Sequence, residues 1–349
     1  MRYLYEKAAT PASGLRLHLN ENTGGCSPAV VEALRGITPE AAAFYPDYAD
    51  AIAAVSARFH VPDSHLVLTN GLDEGILAAS LAALRPGQAT GPAEAVVIVP
   101  AFDMQAACAE AAGAGIVEVP LEADFTFPLK GVLASIGART RIIFITSPNN
   151  PTGISVPRES VEVIAAAAPG AMVFVDEAYA DFSDSTLIGD PVMNAHPNIV
   201  VGRTFSKAYG LAALRGGALV AAPAALAPIR RVLPPYSINV AAAVAIPAAL
   251  RDRDHHARYL AEVRESKRLL YAALDRTGVQ YWVSDANFVL ARFGEGAGRI
   301  CEKLRQKGIY VRDRSKVHGC QGCVRITTGV VEHTRRFIET LEEVLCAAR

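Results

Sequence analysis

Ile199-Val-Val-Gly-Arg203-Thr-Phe-Ser-Lys207-Ala-Tyr-Gly-Leu-Ala-Ala-Leu-Arg215 is the stretch around which the rest of the chain is organised. Its first four residues are a solid apolar run and read as a buried strand ending at Arg203. Lys207 follows just past that strand, so it is held in one place and partly desolvated, which lowers the pKa of an amine. One hydroxyl, Ser206, adjoins the lysine, Thr204 lies three positions before it, and Arg215 lies eight after it. A desolvated amine can form an imine with an aldehyde, and hydroxyls beside a guanidinium suit a phosphate. An aldehyde that carries a phosphate is pyridoxal 5′-phosphate. Taken alone, a Ser-Lys pair is more often a surface lysine in a loop.

Working outward, strand and helix patterns alternate from residue 66 onward, which argues for an α/β domain with a mainly parallel sheet. The expected strands are Leu66–Thr69, Ala95–Val99, Gly115–Val119, Arg141–Thr146, Met172–Asp176, Ile199–Arg203 and Ala218–Ala221. Most are continuous apolar runs, as strands covered on both faces should be. Pro234-Pro235 reads as a linker. A second pattern follows it: a long helix over 255–276, strands Val279–Val283 and Asn287–Phe293, a helix over 297–307, strands Ile309–Arg312 and Cys323–Thr327, and a terminal helix. Residues 1–25 read as an extended arm in which Leu15 to Leu19 alternate like a short strand. Ser27-Pro28 supplies a helix cap and first turn, and Gly36 a stop. The divisions expected are an arm over 1–30, a large domain over 31–235 and a small domain over 236–349.

Four further stretches carry chemistry. Thr69-Asn-Gly71-Leu72-Asp73-Glu74 leads from a strand into a helix expected over Gly75–Leu84, and N–H groups at such a helix start form an anion site. Ser147-Pro-Asn-Asn150-Pro-Thr-Gly153 fixes two amides at the C-terminal end of a strand, the edge where open α/β sheets collect ligands. Val173-Phe-Val-Asp176-Glu-Ala-Tyr179 ends a buried strand on a carboxylate, which is costly there without a cation. A pyridinium nitrogen would serve, and its protonation makes the ring an electron sink. Val311-Arg312-Asp313 and Val324-Arg325-Ile326 place two arginines on neighbouring strands, and arginine binds a carboxylate bidentately. Each stretch alone is compatible with an ordinary turn, cap or surface ion pair.

Composition narrows the classes. The chain has 349 residues, 51% of them apolar, and a formal net charge of −1 from 34 basic and 35 acidic residues. That length suits two domains. The absence of a basic stripe argues against nucleic acid and anionic membranes as partners. Met1-Arg-Tyr-Leu-Tyr-Glu-Lys lacks the apolar core of a secretory signal, and runs such as Val240–Leu250 are too short for a membrane span. Six cysteines without framework spacing point to free thiols and a cytoplasmic location.

In their order, Ser-Pro-Asn-Asn-Pro-Thr-Gly, Val-Asp-Glu-Ala-Tyr, Ser-Lys with Arg eight later, Val-Arg-Asp and Val-Arg-Ile-Thr resemble the fold-type I pyridoxal-phosphate aminotransferases. More narrowly, they resemble the histidinol-phosphate aminotransferase-like group. The resemblance runs from Leu19-Asn-Glu-Asn to Arg325-Ile-Thr-Thr-Gly. It implies a large domain with a mainly parallel seven-stranded sheet, a smaller α/β domain and a homodimer with shared active sites. It implies that Lys207 carries the cofactor and then moves the proton at the substrate's Cα. Asp176 would pair with the ring nitrogen, while Asn150 and Tyr179 would bond the ring's 3′ oxygen. The group Gly71, Leu72, Asp73, Thr204, Ser206 and Arg215 would surround the phosphate, and Phe102 would stack on the ring. Tyr45, in Phe-Tyr-Pro-Asp, corresponds to the tyrosine that reaches the partner subunit's cofactor phosphate. Arg325 corresponds to the substrate-carboxylate arginine, and Arg312 to the arginine that receives a substrate phosphate.

Three positions depart from the group's pattern. Phe102 stands where tyrosine is common, Tyr48 stands where Tyr-Pro-Asp is usually followed by proline, and Asn22-Thr-Gly-Gly25 replaces Asn-Pro-Tyr-Gly.

Two other motifs compete. Gly294-Glu-Gly-Ala-Gly298 has GxGxG spacing and no following βαβ unit, which argues against a dinucleotide loop. His318-Gly-Cys320-Gln-Gly-Cys323 offers at most three nearby ligands and reads as a loop entering a strand, with no metal expected. The function expected is transfer of an amino group between histidinol phosphate, or a related imidazole or aromatic compound, and a 2-oxo acid such as 2-oxoglutarate. Two alternatives share the cofactor: a lyase similar to threonine-phosphate decarboxylase, and an aminotransferase of another amino acid. A non-catalytic ligand sensor in a transcription regulator would need a basic DNA-binding segment before residue 30, and the sequence carries none.

Overall fold

The computed structural model describes residues 2–3, 10–84, 91–183 and 185–346; residues 1 and 4–9 of the expected arm lie outside them. In chain order the strands are β1 (Leu15–Arg16), β2 (Leu66–Asn70), β3 (Glu94–Val99), β4 (Gly115–Pro120), β5 (Thr140–Thr146), β6 (Met172–Asp176), β7 (Ile199–Thr204) and β8 (Gly216–Ala221). Then come β9 (Gln280–Tyr281), β10 (Phe288–Arg292), β11 (Ile309–Tyr310), β12 (Arg312–Asp313) and β13 (Cys323–Thr327).

Strands β2 to β8 form one seven-stranded sheet in the order β2-β8-β7-β6-β5-β3-β4. Only β8 runs against its neighbours, β2 and β7; the other pairings are parallel. The continuous apolar runs have the expected cause. Phe144, Phe174 and Ile142 point into the layer on one face of the sheet, and Ile143, Ile145, Val173 and Val175 into the layer on the other. Truncating a fully buried phenylalanine such as Phe144 or Phe174 to alanine would cost about 3–5 kcal/mol. Helices cover both faces, and parallel strands joined by crossover helices put all their C-terminal ends on one edge. The site lies on that edge.

A second sheet, β12-β13-β10-β9, is antiparallel. The helices Arg253–Thr277, Ala297–Gln306 and Val331–Cys346 accompany it. The arm joins this part of the chain: β1 pairs in parallel with β11, and Leu15 and Leu17 enter the same apolar core as Leu304 and Phe337.

Four expectations are corrected. The helix after β2 begins at Gly71, not Gly75, because strand and helix abut without a loop and Asn70 itself stands at the cap. The single strand expected over Ile309–Arg312 is two, because the chain changes partner at Val311 from the arm to β13. The strand expected over Val279–Val283 shrinks to Gln280–Tyr281, the residues that pair in register with Ala291 and Arg292 of β10. The arm's strand ends at Arg16, where pairing with β11 stops.

The apolar run at 240 is helix Val240–Arg251, capped by the Asn239 side chain and carrying Pro247 inside. It is buried beside Val55, Phe59 and Phe205. Among the described residues no helix is long and apolar enough to cross a membrane.

Candidate active site

Three parallel strands end side by side at the site: β5 on Thr146, β6 on Asp176 and β7 on Thr204. Asp176 lies in register with Thr146 on one side and Gly202 on the other. The segments leaving these ends close around a cavity of about 250 Å³. Of the residues expected from sequence, Leu72, Asp73, Phe102, Asn150, Asp176, Tyr179, Thr204, Ser206, Lys207, Arg215, Arg312 and Arg325 all line it.

Asp176 forms the floor. Its carboxyl is 2% exposed, accepts a hydrogen bond from the Ala178 N–H at 3.0 Å and a longer one, 3.4 Å, from the Gln105 amide. Gln105 is itself held by the Thr146 hydroxyl at 2.8 Å. Among the described residues the carboxyl has no ion-pair partner, and burial pushes it up to about 7. A buried acid in that condition suits a cationic ring nitrogen.

The segment following Asp176 is fixed from behind. Buried Arg203 pairs with Glu177 at 3.3 Å and with Asp181 at 2.8 Å, and Asp181 also lies 3.7 Å from Arg58 and 3.6 Å from His256. These partners hold Asp181 well below the usual carboxylate range despite its burial. Because Glu177 and Asp181 flank Tyr179, the network fixes the backbone that carries it. The Tyr179 hydroxyl accepts a 3.0 Å hydrogen bond from the Asn20 amide.

Lys207 reaches across Tyr179, its Nζ 5.8 Å from the ring centroid. It donates to the Leu19 carbonyl at 3.0 Å. Burial, then the charge of Arg325, lowers it to about 8. A substantial neutral fraction near neutral pH is what an imine-forming amine needs.

One end of the cavity is an anion cradle. Helix Gly71–Ala83 opens there, and Gly71 takes φ +75 with its Cα against the Arg215 guanidinium, where a side chain would collide. Arg215, itself left-handed at φ 60, pairs with Asp73 at 2.8 Å. The Thr204 hydroxyl accepts from the Ser206 N–H at 3.1 Å. The Ser206 hydroxyl oxygen is buried and has no hydrogen-bond partner among the described residues. An orphaned hydroxyl beside a guanidinium and a helix start fits a bound phosphate.

The opposite wall carries arginines. Arg325 donates to the Asn150 side-chain oxygen at 2.5 Å and to the His18 carbonyl at 2.7 Å. Directly across the ladder, Arg312 stands opposite Arg325 in register, and its guanidinium makes no hydrogen bond or ion pair with a described residue. Like charges opposed across strands are unfavourable, so the pair suits an anionic ligand.

Sequence reasoning missed Arg314, Glu21, Gln105 and Thr146. The first two and Thr146 line the cavity, while Gln105 acts on Asp176 from within a helix. None left a sequence signal of its own: Gln105 is a lone amide in an alanine-rich helix, and its burial is set only by the fold.

Tyr45 is different: it is 77% exposed, does not line its own chain's cavity, and stacks on Tyr236 with ring centroids 4.2 Å apart. Buried Cys320 and Cys323, the latter opening β13, are close enough that each thiol shifts the other: Cys320 is raised and Cys323 lowered.

The family model described as aminotransferase class I and II matches residues 12–341. The chain belongs to this family. It is 34% identical over 95% of its length to a histidinol-phosphate aminotransferase of Symbiobacterium thermophilum, covering 90% of that protein. It is 36% identical over 91% to one of Limosilactobacillus fermentum, covering 88%. The crystal structure of a histidinol-phosphate aminotransferase from Sinorhizobium meliloti, solved with pyridoxal-5′-phosphate, superposes with a TM-score of 0.85 at 23% identity, over 97% of this chain and 92% of that one. A structure from Erwinia carotovora, described as a putative histidinol-phosphate aminotransferase, gives 0.87 at 24% identity over 97% and 99%. The fold is that of the fold-type I aminotransferases. The enzyme is a pyridoxal-phosphate-dependent transaminase, and transamination is favoured over the decarboxylase alternative.

Proposed function

We propose that this aminotransferase takes its amino group from histidinol phosphate, or a closely related imidazole or aromatic amino compound, and passes it to a 2-oxo acid such as 2-oxoglutarate. The observation that carries the reading is the opposed pair Arg312 and Arg325 facing the cavity. One guanidinium suffices for the carboxylate of an oxo acid. A second, unmatched one calls for a further anion, which a phosphorylated donor brings. The relatives named above act as a second support, since both are histidinol-phosphate aminotransferases by name.

Pyridoxal phosphate, when bound, supplies an electron sink for charge developing at the substrate's Cα. In this reading Ser206, Arg215 and the N–H groups at Gly71 and Leu72 hold its phosphate, with Thr204 and Asp73 bracing Ser206 and Arg215. Asp176 holds the ring nitrogen protonated, Asn150 and Tyr179 bond the 3′ oxygen, and Phe102 covers a ring face. Lys207 would anchor the group through its amine, and that amine would move the proton to and from the substrate's Cα. Burial lowers the pKa of that amine toward neutrality, which raises the neutral fraction the task needs. Arg325 orients the α-carboxylate of the acceptor, and Arg312 meets the donor's phosphate. The division into an arm (1–30), a large domain (31–235) and a small domain (236–349) belongs to the same reading. So do a cytoplasmic location and a homodimer in which Tyr45 reaches the partner's site.

The test is a donor screen. The cofactor-loaded enzyme is mixed with histidinol phosphate and with a panel of amino acids, and conversion to the pyridoxamine form is followed by absorbance. Histidinol phosphate should react with the highest kcat/KM and give a product of unchanged carbon number. A preferred donor without phosphate would overturn the substrate, and loss of a carbon would overturn transamination.

A further inference from the structure

Asn20 stands in the arm, 1% exposed, on the wall of the cavity. Its φ of 56° lies in the left-handed region, which asparagine and aspartate tolerate better than most residues that carry a side chain. Every polar group it carries is engaged. Its N–H donates to the Thr327 hydroxyl at 3.0 Å, and its carbonyl accepts from the Asn287 amide at 3.1 Å. Its side-chain oxygen accepts from the Thr327 hydroxyl at 3.1 Å, and its side-chain nitrogen donates to the Tyr179 hydroxyl at 3.0 Å. Thr327 ends β13 in the antiparallel sheet, whereas Tyr179 follows β6 of the large one.

These bonds run in one direction. The Thr327 oxygen takes the Asn20 N–H, so its own proton points at the Asn20 side-chain oxygen. That fixes the two ends of the amide and leaves its NH2 facing Tyr179. An amide NH2 only donates, so the phenol oxygen accepts and the phenol proton is turned away from Asn20. No bond from the Tyr179 hydroxyl to another described residue competes for that proton, and Tyr179 lines the cavity. A hydroxyl that receives a hydrogen bond also becomes a stronger donor. Burial raises the Tyr179 phenol, and the charge of Arg325, followed by the Asn20 bond, works against it.

We infer that Asn20 is a positioning residue that sets the direction of the Tyr179 hydrogen bond, so that this hydroxyl donates to the 3′ oxygen of the bound cofactor. The inference rests on the reading that Tyr179 meets that oxygen. Because Asn20 is anchored on Thr327 and Asn287, the direction is set from the antiparallel sheet and delivered to a residue of the large one. Glycine at this position would keep the left-handed backbone and lose the amide. Aspartate would keep the shape but has no N–H to donate when ionised.

The experiment is an absorbance titration of the cofactor-loaded enzyme without substrate, which reads the pH at which the bound cofactor changes colour. A hydrogen bond donated to the 3′ oxygen favours its ionised form and lowers that pH. The titration is run on the wild type, Asn20→Gly, Asn20→Asp and Tyr179→Phe, and on each Asn20 variant combined with Tyr179→Phe. Tyr179→Phe should raise the pH by about 1–2 units, the scale for losing a hydrogen bond to a charged group. Asn20→Gly should raise it by about 0.5 unit, since the phenol stays but loses its bias. Asn20→Asp should raise it further, because the carboxylate draws the phenol proton to itself. In the Tyr179→Phe background the Asn20→Gly shift should vanish, and the Asn20→Asp shift should shrink to the effect of its charge alone. A residue that only braces the arm would lower Tm and leave the titration where it was. Shifts of equal size in both backgrounds, or none, beside a full response to Tyr179→Phe, would overturn the role of Asn20 and leave that of Tyr179 intact. A titration unmoved by Tyr179→Phe would overturn the contact with the 3′ oxygen, and this inference with it.

Discussion

At the scale of single residues, the state of Asp176 depends on whether a cation sits beside it. Without one, burial raises the carboxyl from 3.8 to about 7. Between those two pH values the folded protein keeps a proton that the unfolded chain has released. The cofactor-free protein therefore loses stability as pH rises from about 4 to about 7, with a ceiling of roughly 4 kcal/mol reached above the folded value. A ring cation beside the carboxylate would remove this penalty. Asp176→Asn should accordingly stabilise the cofactor-free protein at pH 8 and leave it little changed at pH 4. Cofactor should raise Tm less in the variant than in the wild type, and turnover should fall by about 100-fold or more, the scale for losing a stabilising electrostatic group. Equal cofactor-induced Tm shifts and near-normal turnover would show that Asp176 does not face the ring nitrogen. The sequence exposed Asp176 because a carboxylate ending a buried strand is conspicuous. It hid Gln105 and Thr146, which hold that carboxylate from separate elements and meet it only after the sheet has formed.

Among the elements, those covered on two faces could be read from sequence. The core strands β3, β5, β6 and β7 lie within a residue of their expected ends, and β6 and β13 match at both ends. Their apolar runs have no helical alternative of suitable length. Legibility failed where partners are remote: two-residue strands β1, β11 and β12 exist only through pairings that join the arm to residues about 290 positions later or reverse at Val311. Arg314 was hidden for the same reason, since it stands beyond a strand end and reads locally as part of a charged loop with Ser315 and Lys316. The start of helix Gly71–Ala83 was misplaced because glycine after asparagine imitates a turn. Here Gly71 is needed at φ +75 so that Arg215 can lie against its Cα. Gly71→Ala should cost about 1–2 kcal/mol of stability from the left-handed backbone alone. It should also push the guanidinium off the cradle and weaken cofactor binding about tenfold in a titration of the cofactor-free enzyme. Unchanged cofactor affinity would argue that Arg215 and the helix start do not hold the phosphate.

For the whole molecule, the position of Tyr45 is the open question that one chain poses. Phe44, Tyr45 and Tyr236 are 68%, 77% and 54% exposed, a cluster of aromatic surface that a lone protomer gains nothing by showing to water. If Tyr45 completes a neighbour's site, each site combines Lys207 of one chain with Tyr45 of the other. Lys207→Ala and Tyr45→Ala enzymes should both be severely impaired as pure preparations. Tyr45→Ala should fold normally, because an exposed ring contributes little to the core. When the two are mixed and allowed to exchange subunits, half of the random dimers are hybrids. Each hybrid has one site in which both residues are intact, since Lys207 comes from the Tyr45→Ala chain and Tyr45 from the other. Activity should recover to about a quarter of the wild-type value for a two-fold symmetric dimer. If Tyr45 instead served its own chain, every site in a hybrid would lack one of the two residues and mixing would restore nothing. Recovery near a quarter thus requires both a dimer and a crossed tyrosine, whereas exchange without recovery, verified by mass labelling of the hybrids, would place Tyr45 outside the partner's site.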